Sequence, residues 1–281
     1  MPVRVRLDLA YDGTAFNGWA TQPGLPTVEG TLTEALTTLA RTPIQLTVAG
    51  RTDAGVHAAA QVAHVDLPLA AWTGAPGRSD LPPARAFARR TNALLRRVRG
   101  PQPDIVIHTA ELAAPGFDAR FSALARTYRY LISDAAAPRD PLTRTSVLWH
   151  DRALDVGAIH RAGTAITGEH DFLAFCKPRE GATTIRTLHH LSVTRRPDGL
   201  IAIEVRADAF CHSMVRALVG SLLAVGEGRA PEDHLASRLA ARTHDQMQVA
   251  PAHGLTLMRV DYPPRAELAA RAHLTRRRRD E

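Results

Sequence analysis

Val48-Ala49-Gly50-Arg51-Thr52-Asp53-Ala54-Gly55-Val56-His57 (VAGRTDAGVH) sets one carboxylate between two glycines, with an arginine two residues before it and a histidine four after it. Residues 45–49 lead into it as a short strand pattern, and residues 61–67 leave it as the next strand. The decapeptide is therefore a polar loop between strands, too rich in charge and glycine for a core and too polar for a plain surface turn.

Outward from this loop the chain alternates between the two regular periods. Val3, Val5, Leu7 and Leu9 alternate with Arg4, Arg6 and Asp8, the pattern of a half-buried strand. Thr27 is an expected N-cap, with Glu29 in the first turn and Leu32, Ala35, Leu36 and Leu39 at helical spacing. Residues 68–103 are rich in Pro, Gly and Arg; the pattern predicts one helix over 84–95 and a surface insertion over 74–83. Strands are expected over 104–110 and 127–132. The second half repeats the scheme: a helix over 156–166, then strands over 188–195 and 200–206 joined by a Pro197-Asp198-Gly199 turn. A strongly apolar helix is expected over 211–225, with Met214, Val215, Leu218, Val219 and Leu222 on one side and Gly226 as its stop. A short helix over 232–241 and a strand over 255–261 follow. Strand runs mixed with helices and hairpins predict an α+β fold with largely antiparallel sheets. The expected domains are an N-terminal half, 1–110, carrying the Asp53 loop, a C-terminal half, 111–264, and a basic, flexible tail, 265–281.

Of the 281 residues 45% are hydrophobic, ordinary for a globular protein, and no run approaches the ~18 apolar residues of a membrane span. The first residues go straight into a strand pattern with no apolar signal segment, which predicts a cytoplasmic protein. Cys176 and Cys211 form no spaced framework and are expected as separate thiols in a reducing compartment. The formal net charge is +7 and the isoelectric point about 10.3. That balance points to a polyanionic partner, nucleic acid first. Only one of the 35 basic residues, Lys177, is a lysine, so coding bias is an alternative source of the charge. Aromatics, at 5%, are too few for a base-stacking platform. A dinucleotide-binding GxGxxG, a phosphate-binding GxxxxGK[ST] and a CxxC pair are all missing, which argues against nucleotide-dependent or zinc chemistry.

Asp53 is ionised at neutral pH, since an unperturbed aspartate has a pKa of about 3.9. It can attack an electrophilic carbon without a partner base. Arg51 would help hold it ionised in a closed site, and Gly50 and Gly55 would let a substrate approach the backbone. The plain alternative is a turn in which Asp53 caps a helix and Arg51 faces water. Asp53 and His57 as metal ligands is a further reading, but the thirteen histidines show no ligand spacing, and a structural hydrogen bond suits His57 better. Tyr11-Asp12-Gly13-Thr14, with Phe16, Gly18 and Trp19, reads as a strand end and turn with a buried aromatic cluster. Tyr128 and Tyr130 share one face of their strand and Arg129 the other; Tyr128 could stack on a base or sit in the core. Arg216 falls near the N-terminus of an apolar helix, where a cation opposes the helix dipole, so an anionic partner is expected: Asp53 or a phosphate.

Taken together, AGRTDAGVHA, YDGTAFNGWA, FSALARTYRY, DFLAFC and FCHSMVRALVGSLLAVGEGR resemble, in order, the bacterial tRNA pseudouridine synthase A family, from about Arg4 to Pro263. The resemblance implies the pseudouridine synthase fold, α+β, with two similar α/β halves of largely antiparallel sheet joined across a central basic cleft. It implies an isomerase that turns uridine into pseudouridine at positions 38, 39 and 40 of the anticodon stem-loop of tRNA, with no cofactor and no metal, working as a homodimer. Residue by residue it implies Asp53 as the catalytic nucleophile, Tyr128 as the tyrosine stacking on the target base, Arg51 as the arginine linked to base flipping and Arg216 as the arginine pairing with the aspartate. Ala20 departs from the family's usual glutamine, which leaves Thr21 and Gln22 without an implied role. A non-catalytic tRNA-binding or chaperone protein on the same scaffold is the alternative.

Overall fold

A computed structural model describes residues 1–177, 183–242 and 248–280. In chain order the elements are β1 (Pro2–Tyr11), α1 (Val28–Ala40), β2 (Leu46–Val48), β3 (His57–Pro68), α2 (Leu69–Thr73), α3 (Pro83–Arg99), β4 (Ile105–Leu112), β5 (Ala125–Ser133) and β6 (Leu148–Trp149). They continue with α4 (Val156–Thr164), β7 (Gly168–Asp171), β8 (Ile185–Arg195), β9 (Ile201–Ala207), α5 (Met214–Gly226), α6 (His234–Ala241), β10 (Leu255–Asp261) and α7 (Leu268–Asp280). The chain divides into two compact units, Met1–Leu124 with Arg259–Glu281, and Ala125–Met258. The first boundary falls at Leu124 rather than at the expected 110, after the loop that follows β4.

In the first unit β1 lies antiparallel between β3 and β4, with Pro2 opposite Pro68 and Leu9 opposite Gln61. β2 adds to the far side of β3. Val5, Leu7 and Leu9 are fully buried, as their alternation requires. Thr27 caps α1 by accepting the Gly30 N–H, and α1 and α3 pack together through the buried faces that hold Leu32, Leu36, Phe87 and Leu95. The expected insertion is anchored at its start: Ala75 is buried and its carbonyl accepts from Arg90. The expected flexible tail is instead the helix α7. Leu268 and Ala272 are buried, the Ser122 hydroxyl donates to the Leu268 carbonyl, and Arg276 pairs with Asp118 at 2.7 Å. The arginine run hides an apolar anchor at its N-terminal end. The side chains of residues 277–280 lie outside those described, and so does residue 281.

In the second unit the sheet order is β5, β9, β8, β7, all antiparallel neighbours, with the short β6 running parallel beside β5. α4 packs on β8 and on α5. α5 is buried nearly all round, the signature of a helix inside a core rather than on a surface. It starts at Met214, three residues later than its apolar run suggests, because Ser213 takes a left-handed conformation (φ 62°). It also continues through Gly226, whose missing side chain leaves room for Ile159. Each unit is thus an antiparallel sheet carrying helices, the α+β class expected. Cys176 and Cys211, expected as separate thiols, are joined as a disulfide, with Cα atoms 5.6 Å apart. Among the described residues no helix is long and apolar enough to cross a membrane.

Candidate active site

Two loops of the first unit interlock to present Asp53. One follows β1 and the other joins β2 to β3. Trp19 N–H donates to the Thr52 carbonyl at 3.0 Å, Gly55 N–H to the Phe16 carbonyl at 3.2 Å, and Val56 N–H to the Asp53 carbonyl at 3.2 Å. The approach is close. A Cβ on Gly13 would lie 2.1 Å from the Val56 carbonyl oxygen, and one on Gly18, whose φ is 90°, would lie 2.9 Å from that of Thr52. These are the two positions at which the YDGTAFNGW stretch needs glycine.

The side chains finish the clasp. Thr52 and Val56 are buried, while Asp53 between them is half-buried and Arg51 and Ala54 are exposed. The loop is pegged twice on the N-terminal side of the carboxylate. The Thr52 hydroxyl meets the Tyr11 hydroxyl at 2.8 Å, and the Gly50 carbonyl accepts from the Gln61 amide at 2.9 Å. Tyr11 packs against Trp19 with ring centroids 6.0 Å apart, the buried aromatic cluster expected there. Burial pushes the Tyr11 hydroxyl up to about 12, against its bonds to Thr52 and Gln61, so it keeps its proton at neutral pH.

His57 is the structural hydrogen-bonder its position suggested. Its Nδ1 lies 3.0 Å from Gly13 N and 3.1 Å from Asp12 Oδ1. One ring nitrogen serves one of these at a time, as acceptor from the amide or as donor to the carboxylate. Burial would raise the Asp12 carboxyl, but the hydroxyl and amide of Thr14, together with His57, hold it below the usual carboxylate range. Arg99, paired with Asp104 at 2.5 Å, lies over the Phe16 ring at 4.6 Å and braces the first loop from the end of α3.

Tyr128 and Arg216 belong to the second unit. Tyr128 is 7% exposed on β5 and meets Phe210 edge-on, with centroids 5.2 Å apart and planes at 90°. Phe210 opens the segment before α5. That segment is tied down by the Cys176–Cys211 disulfide and by Lys177 N–H donating to the His212 carbonyl at 3.1 Å. Arg126 donates to the Asp208 carbonyl at 2.8 Å. The Arg216 Nε donates to the Ala250 carbonyl at 2.8 Å, and Ala250 N–H returns a bond to the Arg216 carbonyl at 3.0 Å. Tyr130, on the same strand face as Tyr128, is fully buried and donates to the Pro251 carbonyl at 2.7 Å.

The structure therefore places Arg51 and Asp53 on one loop of the first unit, and Tyr128 and Arg216 on elements of the second. Tyr11, Thr52 and Gln61 are site residues that the sequence reading passes over. The signal for Gln61 was present: it shares a strand face with Ala63, Val65 and Leu67, and a polar side chain on a core face needs a partner. No group of three or more His, Cys, Asp or Glu is gathered as metal ligands would be among the described residues. Chemically, the first unit offers a half-buried carboxylate on a fixed shelf, beside an exposed guanidinium.

Comparison with known proteins agrees over the whole chain. The family described as tRNA pseudouridine synthase matches residues 162–263, a span that includes Arg216. The chain is 55% identical to a tRNA pseudouridine synthase A of Frankia casuarinae over 98% of its own length and 94% of the relative's. It is 52% identical to that of Streptomyces griseus, covering 96% and 92%. For that of Mycobacterium leprae the identity is 49%, covering 98% and 94%. A solved H/ACA RNP bound to a substrate RNA is only loosely alike: TM-score 0.32, 12% identity, 78% of this chain and 44% of that one.

Proposed function

Because the chain belongs to the tRNA pseudouridine synthase A family, we propose that it isomerises uridine to pseudouridine in tRNA, at positions 38, 39 and 40 of the anticodon stem-loop, with Asp53 as nucleophile. The observation that carries this reading is the clasp around Asp53: buried Thr52 and Val56 fix the backbone on either side and leave the carboxylate half-exposed.

The chemistry asks for little else. The uracil N1–C1′ bond breaks, the base turns, C5 bonds to C1′, and the proton lost from C5 is balanced by one gained at N1. Substrate and product have the same atoms, so no redox partner or group donor enters the balance. The carboxylate supplies the nucleophile or base that opens the sequence, by attack at C1′ or C6 or by removal of the C2′ proton. The target atoms lie inside a stacked stem, so the nucleotide must be everted, at a cost of a few kcal/mol. Arg51, exposed beside the carboxylate, is the proposed wedge or phosphate contact that offsets this cost. Tyr128 is the proposed stacking partner of the everted base, with its ring already set edge-on by Phe210. Arg216, its Nε committed to the Ala250 carbonyl, is the proposed cation for an anionic partner. The proposed working form is a cytoplasmic homodimer that needs neither cofactor nor metal.

The test is Asp53→Asn, with Asp53→Ala beside it, on an unmodified tRNA transcript, mapping pseudouridine in the anticodon arm. Both variants should lose formation by at least ~10³-fold while tRNA binding stays within about twofold. An Asp53→Ala protein that still forms pseudouridine would overturn Asp53 as nucleophile, and a parent chain that binds tRNA but forms none would leave a tRNA-binding or chaperone role in place of this one. Modification confined to another arm would overturn the substrate assignment alone.

A further inference from the structure

Gln61 is fully buried, on a strand face otherwise filled by aliphatic side chains, and the chemistry above makes no use of it. Its amide is oriented without ambiguity. Oε1 accepts the Val62 N–H at 3.2 Å, and Nε2 donates to the Gly50 carbonyl at 2.9 Å. A flipped amide would set oxygen against oxygen and nitrogen against N–H. The second Nε2 proton points at the Tyr11 hydroxyl oxygen, 3.2 Å away. An amide nitrogen cannot accept, so Tyr11 receives there, and its hydroxyl in turn meets the Thr52 hydroxyl at 2.8 Å, where either oxygen can donate. The row thus runs unbroken from Gln61 through Tyr11 to Thr52. Its two ends grip the residue before Asp53 and the residue two before that one.

We propose that Gln61 is a positioning residue for the isomerisation: one side-chain amide, through Gly50 directly and through Tyr11 and Thr52 in relay, sets the backbone that aims Asp53. This rests on Asp53 being the nucleophile. Gly50, Tyr11, Thr52 and Gln61 all belong to the first unit, so the device is complete within it. Gly50 and Thr52 flank the exposed Arg51, so the same grip sets where that side chain leaves the loop. A carboxylate that must reach one carbon of an everted nucleotide loses rate steeply with misplacement; a displacement of about 1 Å can cost about a hundredfold.

The experiment is single-turnover pseudouridine formation by the full chain at saturating enzyme, with the Kd for the tRNA transcript measured in parallel, for Gln61→Leu, Tyr11→Phe and Gln61→Glu, and with Asp53→Asn as control. Tyr11→Phe removes the relay but keeps the Gln61–Gly50 bond, so it reports even if Gln61→Leu folds poorly. The expected result is a chemical step slowed about tenfold to a hundredfold with the tRNA Kd within about twofold. Gln61→Glu adds a readout that loss of stability alone would not move. Its ionised carboxyl cannot donate to Gly50, whereas the protonated form can, and burial raises the pH at which it protonates. Its rate relative to the parent should therefore climb as pH falls from about 8 to about 5. Rates within twofold of the parent for Tyr11→Phe and Gln61→Leu, or a flat ratio for Gln61→Glu, would overturn the proposal while an inactive Asp53→Asn left the nucleophile standing. An active Asp53→Asn would overturn both.

Discussion

Around Asp53 the chain is gripped by uncharged groups: amides to carbonyls at Trp19–Thr52 and Gly55–Phe16, a hydroxyl pair at Tyr11–Thr52 and a carboxamide at Gln61–Gly50. Before Arg216, in the other unit, the grip comes from guanidinium groups on carbonyls, Arg126 on Asp208 and Arg216 on Ala250, from one ring edge and from a disulfide. The difference follows from what each region presents. A shelf built of neutral donors and acceptors fixes the backbone on which the carboxylate sits. In the second unit a guanidinium, with five N–H donors in a fixed fork, can hold a carbonyl at a set angle and carry charge into the segment as well.

The comparison breaks most visibly if the neutral shelf tolerates bulk. Gly13→Val would drive a side chain into the Val56 carbonyl, where even a Cβ lies at 2.1 Å. It should cost at least ~3 kcal/mol of stability in urea or thermal unfolding, with activity lost in proportion to the unfolded fraction. A near-parental unfolding midpoint would show that the two loops do not interlock. A smaller effect comes from His64, where the same unit sets a neutral ring among charges. It is 4% exposed and its Nδ1 accepts from Ala119 N–H. Burial first, then Arg4 and Arg276, push its pKa down to about 4 against the pull of Asp118 and Asp66. A depressed folded pKa means that the unfolded chain binds the extra proton first. The stabilisation is then full above the unfolded value of about 6.5 and fades as pH falls toward about 4. His64→Gln should flatten the unfolding free energy across that window by roughly 2 kcal/mol. An unchanged slope would move the acid sensitivity elsewhere. The smallest effect sharpens the other side. Arg216→Lys keeps the charge but loses the Nε–H bond to Ala250, and should lower the unfolding free energy by about 1.4 kcal/mol, the worth of a charge-assisted bond, with turnover slowed severalfold as the cation loses its anchor. Parental turnover would mean that charge alone suffices there.

Much of this is legible in the sequence wherever one short-range rule suffices. The alternation in β1, the Thr27 cap and the Asp53 loop between two strands are each written in a few adjacent residues. What escapes is set by distant partners. Thirty-five residues separate Cys176 from Cys211, and nothing in their spacing signals that a turn after β7 brings them together. α7 hides behind its arginines because its anchors, Leu268 and Ala272, are few, and Asp118 is far away in sequence. The late start of α5 turns on the left-handed Ser213, which composition does not announce. Gln61 is the instructive miss: its position on a strand face is readable, but Tyr11 and Gly50, fifty and eleven residues away, are not.

The first unit is assembled from both ends of the chain, with Tyr262 donating to the Ala119 carbonyl and α7 seated against the loop after β4. During synthesis the second unit, contiguous in sequence, is whole before the first can close. The first unit therefore closes only once residues 259–276 have emerged behind the second, and a chain cut before them is left with a contiguous second unit and an unclosed first.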